Sequence, residues 1–258
     1  MGERKLYMKI AMGQMPVFYG RIEDNMNKAV EMIAQAAKEG CQIIVLPECM
    51  DIGWANGRDL HLAEPLPGRI IDRLCHEASN NHIWIVAGLT EKDRDKYYNT
   101  SVLISDQGQI KGSHRKINLV PGVETMYTPG TKVEVFETPW GKTGLTICAD
   151  NLSETLCFGE SLAKMGAKWI FSPSAWAVSD ERYGKPYGEE WLCPYTELSK
   201  KYGVNVIGVS NTGMIEDGPW KGFLCIGNSI AVTEHGAVRK ILNYGENAQE
   251  LGIVYVPV

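Results

Sequence analysis

Apolar runs of strand length alternate with amphipathic helical stretches through the first third of the chain. "YMKIAMGQM" and "CQIIVLPE" read as strands with a helix at 22–39 between them, and "IWIVAGLT" as a further strand after a helix near 69–80. In the first helix Ile22, Met26, Ala29, Val30, Ile33 and Ala37 recur at helical spacing, so one face packs on a sheet, and Gly40 supplies a stop. From 97 to 147 the helical period disappears. "NTSVLISD", "QIKGSHRKINL", "KVEVFETPW" and "TGLTICAD" read as strands, with Asp106-Gln107-Gly108 as a turn. A helix at about 153–166, the strand "KWIFSPS", a polar aromatic loop at 176–187 and a helix near 188–202 follow. The strands "VNVIGVSN", "GNSIAVT" and "AVRKILNYG" come last. No linker or low-complexity tract interrupts this order, which predicts one α/β domain over 1–258 with a mixed sheet or a sheet pair.

Composition narrows the class. At 258 residues, 44% hydrophobic and 22% charged, the chain has the make-up of a globular protein with an ample core. The formal net charge of -5 carries no block of like charges, so no nucleic-acid partner and no membrane surface is expected, and a small molecule is. Cysteines at 41, 49, 75, 148, 157, 193 and 225 form no C-x-x-C pair and no zinc-spaced cluster, which points to a reducing, cytoplasmic setting and to no metal site. "MGERKLYMKIAMGQM" lacks a signal-peptide apolar core, and Leu6 stands where a myristoylation motif needs Ser or Thr. No apolar stretch approaches the ~20 residues that span a bilayer. Gly141-Lys142-Thr143 imitates the end of a P-loop, but Phe136 holds the required first glycine and the segment leads into a strand; no G-x-G-x-x-G follows any strand.

Three chemically capable residues sit at or just past predicted strand ends: Glu48 after "QIIVLP", Lys116 after "IKGSHR" and Cys148 after "GLTI". Strand ends are where α/β sheets present side chains to a common crevice. Taken alone, each has a plainer reading that outweighs the catalytic one: Cys148 as a buried core thiol, Glu48 as a solvated loop acid and Lys116 as a surface lysine beside Arg115.

The combination "VLPE", "HRKINL" and "TICAD", in this order and at these separations, resembles the nitrilase superfamily of carbon-nitrogen hydrolases. "YYNTSVLISDQGQIKGSHRK", "NLVPGVETMYTPG", "SPSAW", "VSNTG" and "GNSIAVTEHG" extend the likeness over nearly the whole chain. The resemblance implies a four-layer α-β-β-α sandwich and a Glu48-Lys116-Cys148 triad acting on amide or nitrile substrates with no metal or organic cofactor. Glu124 matches the second glutamate that positions the lysine and substrate or assists the water. It also implies a homodimer paired through the helix after the nucleophile, here the apolar 153–166 with Leu156, Phe158, Leu162 and Met165.

These residue types suit the chemistry. A thiol is only a few per cent ionised at neutral pH and needs a base or a positive field. Glu48, raised in pKa by a site of low polarity, can take the thiol proton and return it to the leaving nitrogen. Lys116 offers fixed charge to the developing oxyanion. A Cys-His arrangement finds less support: His61, His76, His82 and His235 fall on helices or a turn, and only His114, two residues before Lys116, alternates onto the same side.

The run "CADNLSETL" departs from the amidase pattern, because Asn151-Leu152-Ser153 replaces a pair that often includes Arg and no Pro-Glu follows. Asn151 resembles the Asn of the nitrilase Cys-Trp-Glu-Asn run. In the superfamily this chain resembles, enzymes that bind an amino-acid carboxylate often use a basic residue shortly after the nucleophile, so its absence here implies a small uncharged amide. Arg182, in a loop with Lys185, is the residue able to reverse this. Asn151, Arg182 and Trp176 are the candidate substrate contacts. A nitrilase, an N-carbamoyl amine or amino-acid amidohydrolase, and a catalytically silent binding module of the same fold stand as alternatives.

Overall fold

The computed structural model describes residues 7–184 and 188–257. The chain order is β1 (Tyr7–Gln14), α1 (Ile22–Lys38), β2 (Ile43–Val45), α2 (Arg69–Asn81), β3 (Trp84–Asp93), β4 (Lys96–Ile104), β5 (Ile110–Arg115), β6 (Val135–Phe136), β7 (Thr143–Leu145) and α3 (Cys157–Lys164). The second half continues with β8 (Trp169–Ser174), β9 (Ala177–Val178), α4 (Asp180–Tyr183), α5 (Glu189–Tyr202), β10 (Asn205–Ser210), β11 (Thr212–Met214), β12 (Leu224–Ile226), β13 (Ile230–Thr233), β14 (Ala237–Ile241) and β15 (Glu250–Pro257).

Two six-stranded sheets, β15-β1-β2-β3-β4-β5 and β14-β13-β10-β8-β7-β6, lie face to face, with a small sheet β11-β12-β9 beside them. Strand periodicity explains the layering. In β1, Met8, Ile10 and Met12 point inward with Ile43, Val45, Trp84 and Val86, and meet Leu145, Trp169, Phe171, Ile207 and Val209 of the other sheet. The alternate positions Ala11, Ile44 and Ile85 point outward to Met26, Ala29 and Ile33 of α1 and Ile71 and Leu74 of α2. On the far side Ile147, Ile170 and Val206 pack against Leu162 of α3 and Trp191, Tyr195 and Leu198 of α5. The architecture is the expected α-β-β-α sandwich, its strands reading as continuous apolar runs because both faces are covered.

Three local differences bear on the site. The strand expected through "TGLTICAD" ends at Leu145 and gives way to a 3-10 turn at Cys148–Asn151, and the helix expected over 153–166 opens as a second 3-10 turn at Ser153–Thr155, with regular α-helix only from Cys157. Polar side chains here bond nearby backbone instead of leaving it to the helical ladder: Thr155 Oγ1 accepts from Leu152 N–H at 3.0 Å and donates to Ala149 O at 2.7 Å. The expected strand through "HRKINL" stops at Arg115, so Lys116 sits immediately beyond an edge strand. The loop at 176–187 contains β9 and the short α4, while Lys185 lies outside the described residues.

Candidate active site

The parallel strands β2, β7 and β8 all end at one rim of the sandwich, and the chemically capable side chains follow them. Glu48 lies just past β2, Cys148 just past β7, Ala175 directly after β8 and Lys116 directly after β5. Glu48 N–H donates to Ser174 O at 3.3 Å, which ties the end of one sheet to the end of the other. Gly88 makes this possible: a Cβ there would stand 2.6 Å from the Glu48 Cα and 2.7 Å from Pro47 O, so β3 approaches the Glu48 segment only without a side chain.

Lys116 is fully buried between two carboxylates. Its Nζ donates to Glu48 Oε1 at 2.8 Å and lies 3.0 and 2.9 Å from the two Glu124 oxygens, and none of the three side chains has any exposure. Asn99 Nδ2 joins the same acids, donating to Glu48 Oε1 at 2.6 Å and Glu124 Oε1 at 3.0 Å. Glu124 also accepts from Trp54 Nε1 at 2.8 Å and from Val120 N–H at 2.7 Å. Both Glu124 oxygens are thus occupied by the protein. Glu48 differs: its Oε1 is held by Lys116 and Asn99, whereas Oε2 is buried with no hydrogen-bond partner. That oxygen keeps open acceptor capacity.

Cys148 sits at φ +40°, a left-handed backbone that a side-chain-bearing residue rarely adopts, and is 8% exposed. Such geometry persists only when its surroundings enforce it. Asp150 is the enforcing group. Its Oδ2 accepts from Ile147 N–H at 3.1 Å and lies 2.8 Å from His114 Nε2, while its Oδ1 accepts from Ile117 N–H at 3.2 Å and Asn118 N–H at 2.8 Å. One buried carboxylate therefore clasps the cysteine turn to the segment that carries Lys116. Asn118 Nδ2 adds a bond to Ala149 O at 2.7 Å.

The electrostatics follow from burial. Burial raises the Glu48 carboxyl above its ordinary value; Lys116 opposes this, Glu124 reinforces it, and the bonds from Lys116 and Asn99 oppose it again. Burial acts to depress Lys116, but Glu124, Glu48 and Cys148 more than reverse that and keep it an ammonium. Burial pushes the Cys148 thiol well up and Glu48 adds to this, with Lys116 and the Ala175 backbone N–H opposing. The resting pair is a thiol beside a carboxylate whose proton affinity is raised.

Cys148 and Ala149 open onto a cavity of about 330 Å³ walled by Trp54, Trp191, Trp220, Phe223 and Val178, with Arg182 and Glu190 also lining it. The candidate contacts divide accordingly. Arg182 faces the cavity, its Nη1 3.8 Å from Glu190 Oε1. Trp176 does not line it: its indole is wholly buried, stacked on Trp191 at 4.4 Å, because its flanking residues Ala175 and Ala177 take the cavity-facing positions of that stretch. Asn151 is buried too, its Nδ2 bonded to Thr146 Oγ1 and Ser172 Oγ at 2.9 Å each, so it supports the turn from beneath. Asn99, Trp54 and Asp150 were not among the expected site residues; the signal for Asn99 is its place in a wholly buried polar run, Asn99-Thr100-Ser101, of β4. Among the described residues no group of three His, Cys, Asp or Glu is arranged to hold a metal. No described helix is long and apolar enough to cross a membrane.

The family model described as carbon-nitrogen hydrolase matches residues 9–257. Omega-amidase NIT2 of Xenopus tropicalis is 34% identical over 167 residues, covering 60% of this chain and 59% of that protein; the Mus musculus omega-amidase NIT2 is 32% identical over 166 residues. The chain thus matches about three fifths of the length of these relatives. Among solved structures, a mutant amidase from Nesterenkonia sp. AN1, with the acetamide moiety of fluoroacetamide covalently added at its active-site cysteine, superimposes with a TM-score of 0.78. Identity is 19%, with coverage of 100% of this chain and 92% of that one. A carbon-nitrogen hydrolase from Helicobacter pylori G27 gives a TM-score of 0.85 at 20% identity, covering 97% and 89%. With a match that runs through both sheets and all four strand-end residues, this chain belongs to the carbon-nitrogen hydrolase family of the nitrilase superfamily.

Proposed function

We propose that this protein is an amidase that hydrolyses a non-peptide C–N bond of an uncharged amide through a cysteine acyl-thioester. The observation that carries the reading is the division of labour within the buried cluster. One glutamate has both oxygens occupied, and the other, whose charge acts on the Cys148 thiol, keeps one oxygen unengaged. Cys148 Sγ attacks the amide carbon as its proton passes to Glu48, and the oxyanion that forms is stabilised by the Lys116 ammonium. Because the thiol is held neutral, proton removal accompanies attack. Glu48 then returns the proton to the nitrogen, the C–N bond breaks and ammonia leaves. Water next attacks the thioester, yields its proton to Glu48 and frees the carboxylic acid, and the thiol is restored. Glu124, saturated by Lys116, Asn99, Trp54 and Val120, holds the lysine in place.

The amide reading is supported by the amidase names of the relatives and by covalent chemistry at the cysteine of the Nesterenkonia enzyme. Ammonia release from a panel of neutral amides, nitriles, N-carbamoyl amino acids and carbamoyl amines tests it. Neutral amides should be turned over fastest, and turnover of nitriles alone would overturn the reading.

A homodimer and a reducing, cytoplasmic setting form part of the proposal. The unpaired state of all seven thiols supports the setting. On α3 and its flanks Leu162 is spent on the core and Leu156 partly so, which leaves Phe158, half-buried, and Met165, 42% exposed, as the apolar surface for pairing. A strictly monomeric mass by sedimentation of an active sample at micromolar concentration contradicts the dimer.

A further inference from the structure

The cavity beside Cys148 is larger and more aromatic than a short-chain amide requires. Its volume of about 330 Å³ falls at the lower end of the ~300–1,000 Å³ range of small-molecule sites. An amide of only a few carbons would leave most of that space to water. The wall beyond the reactive floor is built from Trp54, Trp220 and Phe223. Trp54 and Trp220 meet edge to face with centroids 5.4 Å apart, and Trp220 stacks on Phe223 at 5.2 Å. Trp54 is itself fixed, since its Nε1 donates to Glu124. Trp220 and Phe223, carried between β11 and β12, are only partly buried, so their rings keep surface facing the cavity. Rigid, pre-ordered aromatic surface favours a ring that can stack or pack edge-on against it.

The charges of the rim point the same way. Arg182 stands 3.8 Å from Glu190 and both line the cavity, so a substrate carboxylate drawn to the guanidinium would also meet the glutamate. A substrate ammonium meets the converse problem. A neutral group disturbs neither.

We propose that the substrate of this site is an amide whose acyl part carries an uncharged aryl or arylalkyl group, seated against Trp54, Trp220 and Phe223 while its carbonyl carbon lies over Cys148. This rests on the amidase reading above and adds the class of acyl group to it.

The test compares kcat/KM by ammonia release for phenylacetamide, hexanamide, propionamide and glutaramate, in the wild type and in Trp220→Ala, Phe223→Ala and Arg182→Ala. Phenylacetamide should exceed propionamide by about 10- to 100-fold, the advantage of burying a ring in an apolar pocket. Trp220→Ala and Phe223→Ala should each shrink that ratio about tenfold, with circular dichroism and labelling of Cys148 by iodoacetamide verifying a folded site. A phenylacetamide-to-propionamide ratio near one overturns the inference and leaves the amidase reading intact. A preference for glutaramate that is lost in Arg182→Ala overturns the inference together with the uncharged-amide part of the reading above, and leaves the cysteine amidase chemistry standing. Hexanamide above phenylacetamide also overturns the inference, since the pocket would then read length and not rings. No ammonia from any of the four amides overturns the amidase reading, and this inference falls with it.

Discussion

Replacing Lys116 by Met should destabilise the protein by an amount that grows with pH. Lys116 is the shared partner of two carboxylates at 2.8–3.0 Å, and all three side chains are fully excluded from solvent. Each contact is a gross attraction of roughly 6 kcal/mol at an effective dielectric of 20, largely offset in the wild type by the cost of dehydrating the charges. Methionine fills similar space but leaves Glu48 and Glu124 facing each other with only Asn99 between them. The variant can relieve this by binding a proton. Relative to a free glutamate near 4.3, and at 1.36 kcal/mol per unit, that costs about 2 kcal/mol at pH 6 and about 5 kcal/mol at pH 8. The loss should therefore be about 2–3 kcal/mol at pH 6 and rise to about 5 kcal/mol at pH 8, in line with ~3–5 kcal/mol for a broken buried pair. The sign follows from linkage. The folded variant holds a proton that the unfolded chain has released, so its stability falls as pH rises through the raised folded value. Urea unfolding at pH 6 and 8 measures the loss, and Lys116→Met with Glu124→Gln should recover most of the stability while remaining inactive. A loss below about 1 kcal/mol at both pH values would refute the reasoning.

Glu48→Gln should lower kcat/KM by roughly 10³-fold or more, within the 10²–10⁴-fold range of a lost general base with its further positioning role. In the wild type the acid limb of kcat/KM should lie above the ~4.3 of a free glutamate, because burial raises Glu48 and activity disappears as it is protonated; a limb at or below pH 4 contradicts this. Asp150→Asn keeps the shape but turns an NH₂ toward two of the four donors now satisfied, so stability should fall by about 2–4 kcal/mol and kcat by about 10- to 100-fold with KM less affected. Unchanged kcat in a folded variant would show that the Asp150 clasp does not hold the nucleophile. Burial pushes Asp51 to about 7, against the backbone N–H groups of Thr90, Ile52 and its own residue. The folded state then holds a proton that the unfolded chain lacks between about pH 4 and 7, so Asp51 contributes stability at low pH that is lost as pH rises. Asp51→Asn should gain on the wild type by up to about 4 kcal/mol between pH 4 and 8, and a constant offset by thermal denaturation would contradict the shift.

Much of this architecture is legible in the sequence because strands covered on both faces leave apolar runs, as in Ile43–Val45 and Trp169–Phe171, and because a helix such as Ile22–Lys38 needs an apolar stripe. Glu48, Lys116 and Cys148 were legible as residues at strand ends, though nothing local said that Lys116 would be wholly buried. What escaped was set by tertiary contact. β15 passes unnoticed as a strand until it is seen paired along the whole of β1, from Tyr7–Pro257 to Gln14–Glu250. The break after Cys148 depends on Asp150 reaching across to Ile117 and Asn118, a contact between segments about thirty residues apart. Trp176 illustrates the limit of loop reasoning: a tryptophan after a strand end can face either way, and here it supports Trp191 from below instead of meeting the cavity.

An acyl-enzyme on Cys148, formed with Glu48 as its base, can be trapped during turnover. Wild-type protein mixed with a turned-over neutral amide, quenched in acid within milliseconds and digested, should show the acyl mass on the peptide containing Cys148. That mass should be removable by hydroxylamine and absent from Cys148→Ala, which should release no ammonia. Ammonia release by Cys148→Ala at a rate comparable to the wild type, or an acyl group carried by another cysteine, would contradict the account.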